Sequence, residues 1–98
     1  MLINLCFDYY TDVINVPERI GKKIKYYLNK CDKWLFDKSN NHQFWELDDN
    51  GNKEGVGICS DAFVFWLNEF PLKDTGLKAE VVQRDLQKYD ETLTTLYY

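Results

Sequence analysis

Apolar and polar residues alternate from the second residue onwards. Ile3, Leu5, Phe7 and Tyr9 share one side of an extended chain, and Leu2, Asn4, Cys6 and Asp8 the other, which predicts a strand over residues 2–9. The period then lengthens. Val16, Ile20, Ile24, Tyr27, Leu28 and Cys31 fall on one helical stripe, with Arg19, Lys22, Lys23 and Lys30 opposite. This predicts an amphipathic helix over residues 17–31 with a basic solvent face. Pro17 suits its first position, where a missing N–H costs nothing, and Glu18 and Lys30 complement the two ends of the helix dipole.

Trp34-Leu35-Phe36 reads as a short strand or the end of a connection, and Lys38-Ser39-Asn40-Asn41 as a turn. Residues 42–58 predict a hairpin. His42–Leu47 goes out with Trp45 and Leu47 on one face, Asp48-Asp49-Asn50-Gly51-Asn52 turns, and Gly55–Ile58 returns with Val56 and Ile58 on one face. A second helix is expected over residues 61–70, with Ser60 as N-cap, Asp61 in the first turn and Pro71 as stop. Its broad apolar face holds Ala62, Phe63, Trp66, Leu67 and Phe70, whereas Phe65 lies among Asp61, Asn68 and Glu69 on the polar side. Residues 77–84 read as a strand after the turn Asp74-Thr75-Gly76. Residues 91–97 read as a strand on Thr92, Thr94 and Thr95, although Leu93, Leu96 and Tyr97 also suit a helical stripe. The expected fold is one α+β domain over residues 1–98. Its sheet is expected to be antiparallel, of about four to six strands, with two helices on one face.

Composition sharpens this picture. With 16% aromatic residues, few side chains are needed to fill the modest core of a 98-residue domain. The net charge of −4 is unevenly placed: residues 1–41 carry seven Lys/Arg and five Asp/Glu, residues 42–98 five and eleven. An acidic half repels nucleic acid and attracts basic partners. No apolar run approaches membrane-spanning length, and the first residues lack a basic stretch and are interrupted by Asn4 and Asp8, so neither a membrane partner nor a signal peptide is expected. Cys6, Cys31 and Cys59 are odd in number and widely spaced, which fits reduced thiols in a cytoplasmic protein.

The chain offers little chemistry. His42 is its one histidine and sits in a polar turn; a Cys–His pair would need a cysteine beside it. Cys59 precedes a helix N-terminus, but Ile58 and Phe63 beside it argue for burial. Asp48-Asp49-Asn50-Gly51 fails as a calcium loop: with Gly51 sixth, the twelfth position is Gly57, where a bidentate Glu is required. Gly55-Val56-Gly57 lacks the spacing and lysine of a phosphate loop. No catalytic residue, metal ligand or cofactor is expected. Lys22, Lys23, Lys25 and Lys30 form the one basic stripe, on an otherwise acidic chain, so direct nucleic-acid binding is not expected. Two surface features remain. One is the hairpin tip with Asp48, Asp49, Asn50, Asn52 and Glu54; the other is Phe65 with Asp61, Asn68 and Glu69. Interfaces concentrate energy in aromatic anchors ringed by polar groups, and carboxylates around them steer a basic partner.

The segment Gly57-Ile58-Cys59-Ser60-Asp61-Ala62-Phe63-Val64-Phe65-Trp66-Leu67-Asn68, about an eighth of the chain, is similar to stretches of small bacterial immunity proteins. In size, acidity and aromatic content the chain resembles the immunity proteins of toxin systems, including contact-dependent growth inhibition. The resemblance implies a cognate toxin as partner, basic and of nuclease type, whose active site is occluded by carboxylates that mimic phosphates. The competing reading is a generic interaction or self-associating subunit module, which would present an apolar contact surface instead.

Overall fold

The computed structural model describes residues Met1–Tyr98 as an α+β fold. Its elements are β1 (Leu2–Cys6), β2 (Thr11–Asn15), α1 (Glu18–Gly21), α2 (Ile24–Leu35), β3 (Trp45–Leu47), β4 (Lys53–Val56), α3 (Ser60–Glu69), β5 (Glu80–Leu86) and β6 (Thr94–Tyr97). No helix is long and apolar enough to cross a membrane.

The expected first strand stops early. The chain turns over residues 7–10, where Phe7 N–H donates to Tyr10 O at 2.8 Å and the two rings stack at 4.8 Å. Tyr9 sits in this turn, 87% exposed, instead of on an apolar strand face. The return strand β2 left no alternation in the sequence because both of its faces are covered: Thr11, Asp12, Val13 and Ile14 are all buried. Asp12 lies opposite Leu5, on the helix side of the sheet. Its carboxylate accepts the Ser60 hydroxyl and, at 3.0 Å, the Asp85 N–H. The first turn of α3 is thereby tied to β2 and β5, and Ser60 is not the N-cap that the sequence predicts. Cys59 holds that position, in extended backbone and with no side-chain cap.

The predicted basic helix is two helices. A break at Lys22–Lys23 separates α1 from α2, and α2 continues to Leu35 because Ile24, Cys31 and Leu35 extend one buried stripe. Trp34-Leu35-Phe36 is therefore its last turn and cap, not a strand. Asp32, in that last turn, accepts the Tyr98 hydroxyl at 3.3 Å. Desolvation pushes its carboxyl pKa up against that hydrogen bond. A carboxyl with a raised folded pKa penalises folding above that pKa, and the penalty fades as pH falls towards the unfolded value of about 3.9. Asp32→Asn is accordingly expected to raise the melting temperature at neutral pH, with the gain vanishing below about pH 4. Paired thermal melts across that range check it.

The main sheet has four strands in the order β5-β2-β1-β6, and β3 and β4 form a separate hairpin. β1–β2 and β2–β5 are antiparallel, but β6 runs parallel to β1, which corrects the expected all-antiparallel sheet. Residues 87–93 carry the chain from one sheet edge to the other, and β6 thus enters in the direction of β5. This crossover lies on the face away from the helices, held where Asn4 Nδ2 donates to Asp90 O at 2.8 Å and Thr95 Oγ1 at 3.2 Å. On the other face a cluster of 15 buried residues joins Ile3, Leu5, Ile14 and Leu96 of the sheet to Ile24, Cys31 and Leu35 of α2 and Ala62, Phe63, Trp66 and Leu67 of α3.

Candidate partner-binding site

The β3–β4 hairpin is organised by one side chain. Asp48 Oδ1 accepts the N–H groups of Asn50 and Asn52, both at 2.9 Å, and Asp48 O accepts Gly51 N–H at 3.0 Å. The backbone hydrogen bond from Asn52 leads in lowering the Asp48 pKa, because it favours the ionised carboxylate. Gly51 completes the turn at φ +80°, in the left-handed region that glycine enters without strain. Asp48 thus shapes the turn, while Asp49, Asn50, Asn52 and Glu54 stand exposed around it.

The hairpin's one cation is turned away from this tip. Lys53 Nζ donates to Lys38 O, to Asn40 O at 3.1 Å and to Asn41 Oδ1 at 2.6 Å, and lies 5.3 Å from the Trp45 ring centroid. The ion pairs of the protein are Glu18–Lys22 and Asp61–Arg84, so the tip carboxylates have no counter-charge. Beside them Leu47 is 59% exposed. The sequence places Leu47 with Trp45 on one face, but a register shift between Glu46 and Leu47 turns it outwards. Leu47 is the exposed apolar side chain that the sequence reading left out of the candidate site; it alternates with Trp45 in the sequence, and the bulge that turns it out carries no local mark.

The hairpin base is a packed, hydrogen-bonded aromatic cluster. His42 stacks on Trp45 at 4.9 Å and 7°, and the Trp34 ring, tilted by 33°, also lies 4.9 Å from His42 between centroids. His42 Nδ1 accepts Phe44 N–H at 3.2 Å, which leaves the proton on Nε2, 2.7 Å from Leu35 O. Trp45 Nε1–H donates to Asn40 O at 2.6 Å. Both His42 nitrogens therefore serve the fold. Cys6 and Cys31 are buried thiols, Cys31 with a pKa pushed up by burial, and Cys59 is half-buried.

The four candidate residues on α3 do not form the expected ringed anchor. Phe65 is half-buried, 5.7 Å from Phe44 and 6.3 Å from Trp34 between ring centroids, because the hairpin base packs over it. Asp61 makes a two-pronged ion pair with Arg84 at 2.7 and 2.9 Å, and that guanidinium holds its carboxyl pKa down. Asn68 clamps the start of β5: Oδ1 accepts Ala79 N–H at 2.8 Å and Nδ2 donates to Ala79 O at 3.0 Å. Glu69 is exposed at the helix end. No hydrogen bond or ion pair joins these residues to the hairpin tip. Asn68→Ala is expected to lower stability by about 1–3 kcal/mol, since it strips a part-buried backbone of both partners. Urea unfolding measures it, and Glu69→Ala, predicted to change stability by less than about 0.5 kcal/mol, is the control.

No family model, curated protein or solved structure matches the chain.

Proposed function

We propose that this protein is a non-catalytic cytoplasmic inhibitor: an immunity-type protein that binds a basic, nuclease-type toxin and covers its active site with the β3–β4 hairpin. The observation that carries this reading is the hairpin tip, where Asp49 and Glu54 lack any counter-charge beside the exposed Leu47. A carboxylate without an internal partner meets Lys or Arg of a phosphate-binding site without first breaking an ion pair, so only its hydration opposes the charge-assisted bond, and an exposed leucine supplies apolar area at the centre of the contact. The turn is pre-organised by Asp48 and the base by stacked rings, so little ordering entropy opposes docking. The resemblance to immunity proteins supports the same reading.

The test is co-expression with the protein encoded beside this gene. The expected result is that the neighbour arrests growth alone, that this chain restores growth, and that the purified pair associates more slowly at high salt. A harmless neighbour, or one that this chain does not bind, would overturn the proposal.

A further inference from the structure

A second surface has the opposite charge. β6 ends the order β5-β2-β1-β6, so β1 is its sole partner. Tyr98 N–H donates to Cys6 O at 2.8 Å. Along a strand the backbone groups of alternate residues point to opposite sides, so Thr94 and Leu96 also aim at β1 while Thr95 and Tyr97 aim outwards. No backbone or side-chain group of the protein bonds to the outward amides and carbonyls of Thr95 and Tyr97. Unpaired edges of this kind accept an added strand.

Alongside this edge runs a groove between β6 and α2, made of two adjoining pockets of about 560 and 450 Å³ that share Lys25, Thr95 and Leu96. Ile24, Leu28 and Leu96 give it an apolar floor; Lys22, Lys23 and Lys25 line it, and no Asp or Glu does. Lys22 is paired with Glu18 at 3.5 Å, both largely exposed; Lys23 and Lys25 have no ion-pair partner. On a chain of net charge −4 this is a local reversal of sign.

We propose that an extended acidic segment of a partner protein docks here by adding a strand to β6. Its backbone bonds Thr95 and Tyr97, alternate apolar side chains enter the floor, and its carboxylates meet the lysines of α1–α2. In strand addition the main-chain bonds supply affinity and the side-chain pockets supply selectivity. Charge decides the occupant. Pairing with the β6 edge of a second copy would bring two lysine-lined grooves onto one face of a joined sheet, a like-charge cost that an acidic segment turns into attraction. The site is independent of the acidic hairpin.

The experiment is titration of the intact protein with short peptides alternating Val with Glu, Ser or Lys, followed by backbone amide NMR, with single-stranded DNA as a second probe. The glutamate peptide is expected to bind in the micromolar range, at least about tenfold more tightly than the serine peptide, and to shift the Thr95 and Tyr97 amides most. Tyr97→Pro deletes an outward N–H and leaves the β1 ladder intact, so it is expected to abolish binding with the amide spectrum otherwise retained. The combined change Lys22→Gln, Lys23→Gln and Lys25→Gln, which touches only exposed side chains, is expected to remove the preference for the glutamate peptide and covers the case in which the proline variant does not fold. Failure of the glutamate peptide to bind below about 1 mM, equal binding of the lysine peptide, or DNA bound more tightly than any peptide would each overturn the proposal.

Discussion

Phe63→Ala is expected to lower the stability of this protein by about 3–5 kcal/mol, a large share of the roughly 5–15 kcal/mol available to such a domain. Phe63 has no exposed surface and belongs to the cluster that joins α3 to the four-stranded sheet. Truncating it removes the transfer free energy of the ring and leaves a cavity. The surroundings cannot close over that cavity, because Asp12 ties the first turn of α3 to β2 and Asn68 ties its last turn to β5. The urea midpoint is expected to fall steeply at unchanged slope. Ile14→Val, in the same core, serves as the reference and is expected to lose about 0.5–1.5 kcal/mol. A Phe63→Ala loss below about 1 kcal/mol would mean that α3 does not carry the core as described.

The hairpin tip is expected to behave in the opposite way. Leu47→Ala, Asp49→Asn and Glu54→Gln together are expected to leave the melting temperature almost unchanged, because each side chain is exposed and none makes a hydrogen bond or ion pair within the protein. Against a basic partner the same triple variant is expected to bind about a hundredfold or more weakly. The parts are separable. Loss of the two carboxylates is predicted to slow association and flatten its salt dependence, whereas loss of Leu47 is predicted to speed dissociation. Surface plasmon resonance at two salt concentrations distinguishes them. Asp48 is left out deliberately: its carboxylate accepts two turn amides, so replacing it would change the loop as well as the charge. Partner binding that survives the triple variant would exclude the hairpin as the contact surface.

The two charged surfaces bear on each other through the net charge. The acidic tip and the lysine-lined β6 edge select partners of opposite sign, so one basic ligand cannot satisfy both. Mutations in one are therefore expected to leave the ligand of the other unaffected, apart from the long-range field that salt screens within about 8–10 Å.

Local signals in the sequence were enough for several elements. The 3.6-residue stripe from Val16 to Cys31 marked the buried side of α1 and α2, because a helix packed on one face must repeat its apolar residues at that spacing. Asp48 to Asn52 marked a hairpin turn, since side-chain acceptors and a left-handed glycine are local requirements. Pro71 closed α3 for an equally local reason. From these the α+β class followed, and the acidic tip of the candidate site with it.

What depended on distant residues was decided only by the tertiary structure. β2 had no readable period because helices cover one of its faces and the crossover side the other. The parallel pairing of β6 with β1 joins residues such as Asn4 and Thr95, which lie 91 positions apart and carry no local mark of each other. The sequence put Phe65 on the polar side of α3 and left its exposure open, because nothing in α3 announces that the base of a preceding hairpin will pack over it. Asn68 read as a surface amide because its partner, the backbone of Ala79, offers any sequence the same donor and acceptor. The sequence by itself determined the periods, turns and stops, which are properties of neighbouring residues. Burial, strand order and the pairing of polar groups depend on which remote surfaces meet, and folding alone brings those together.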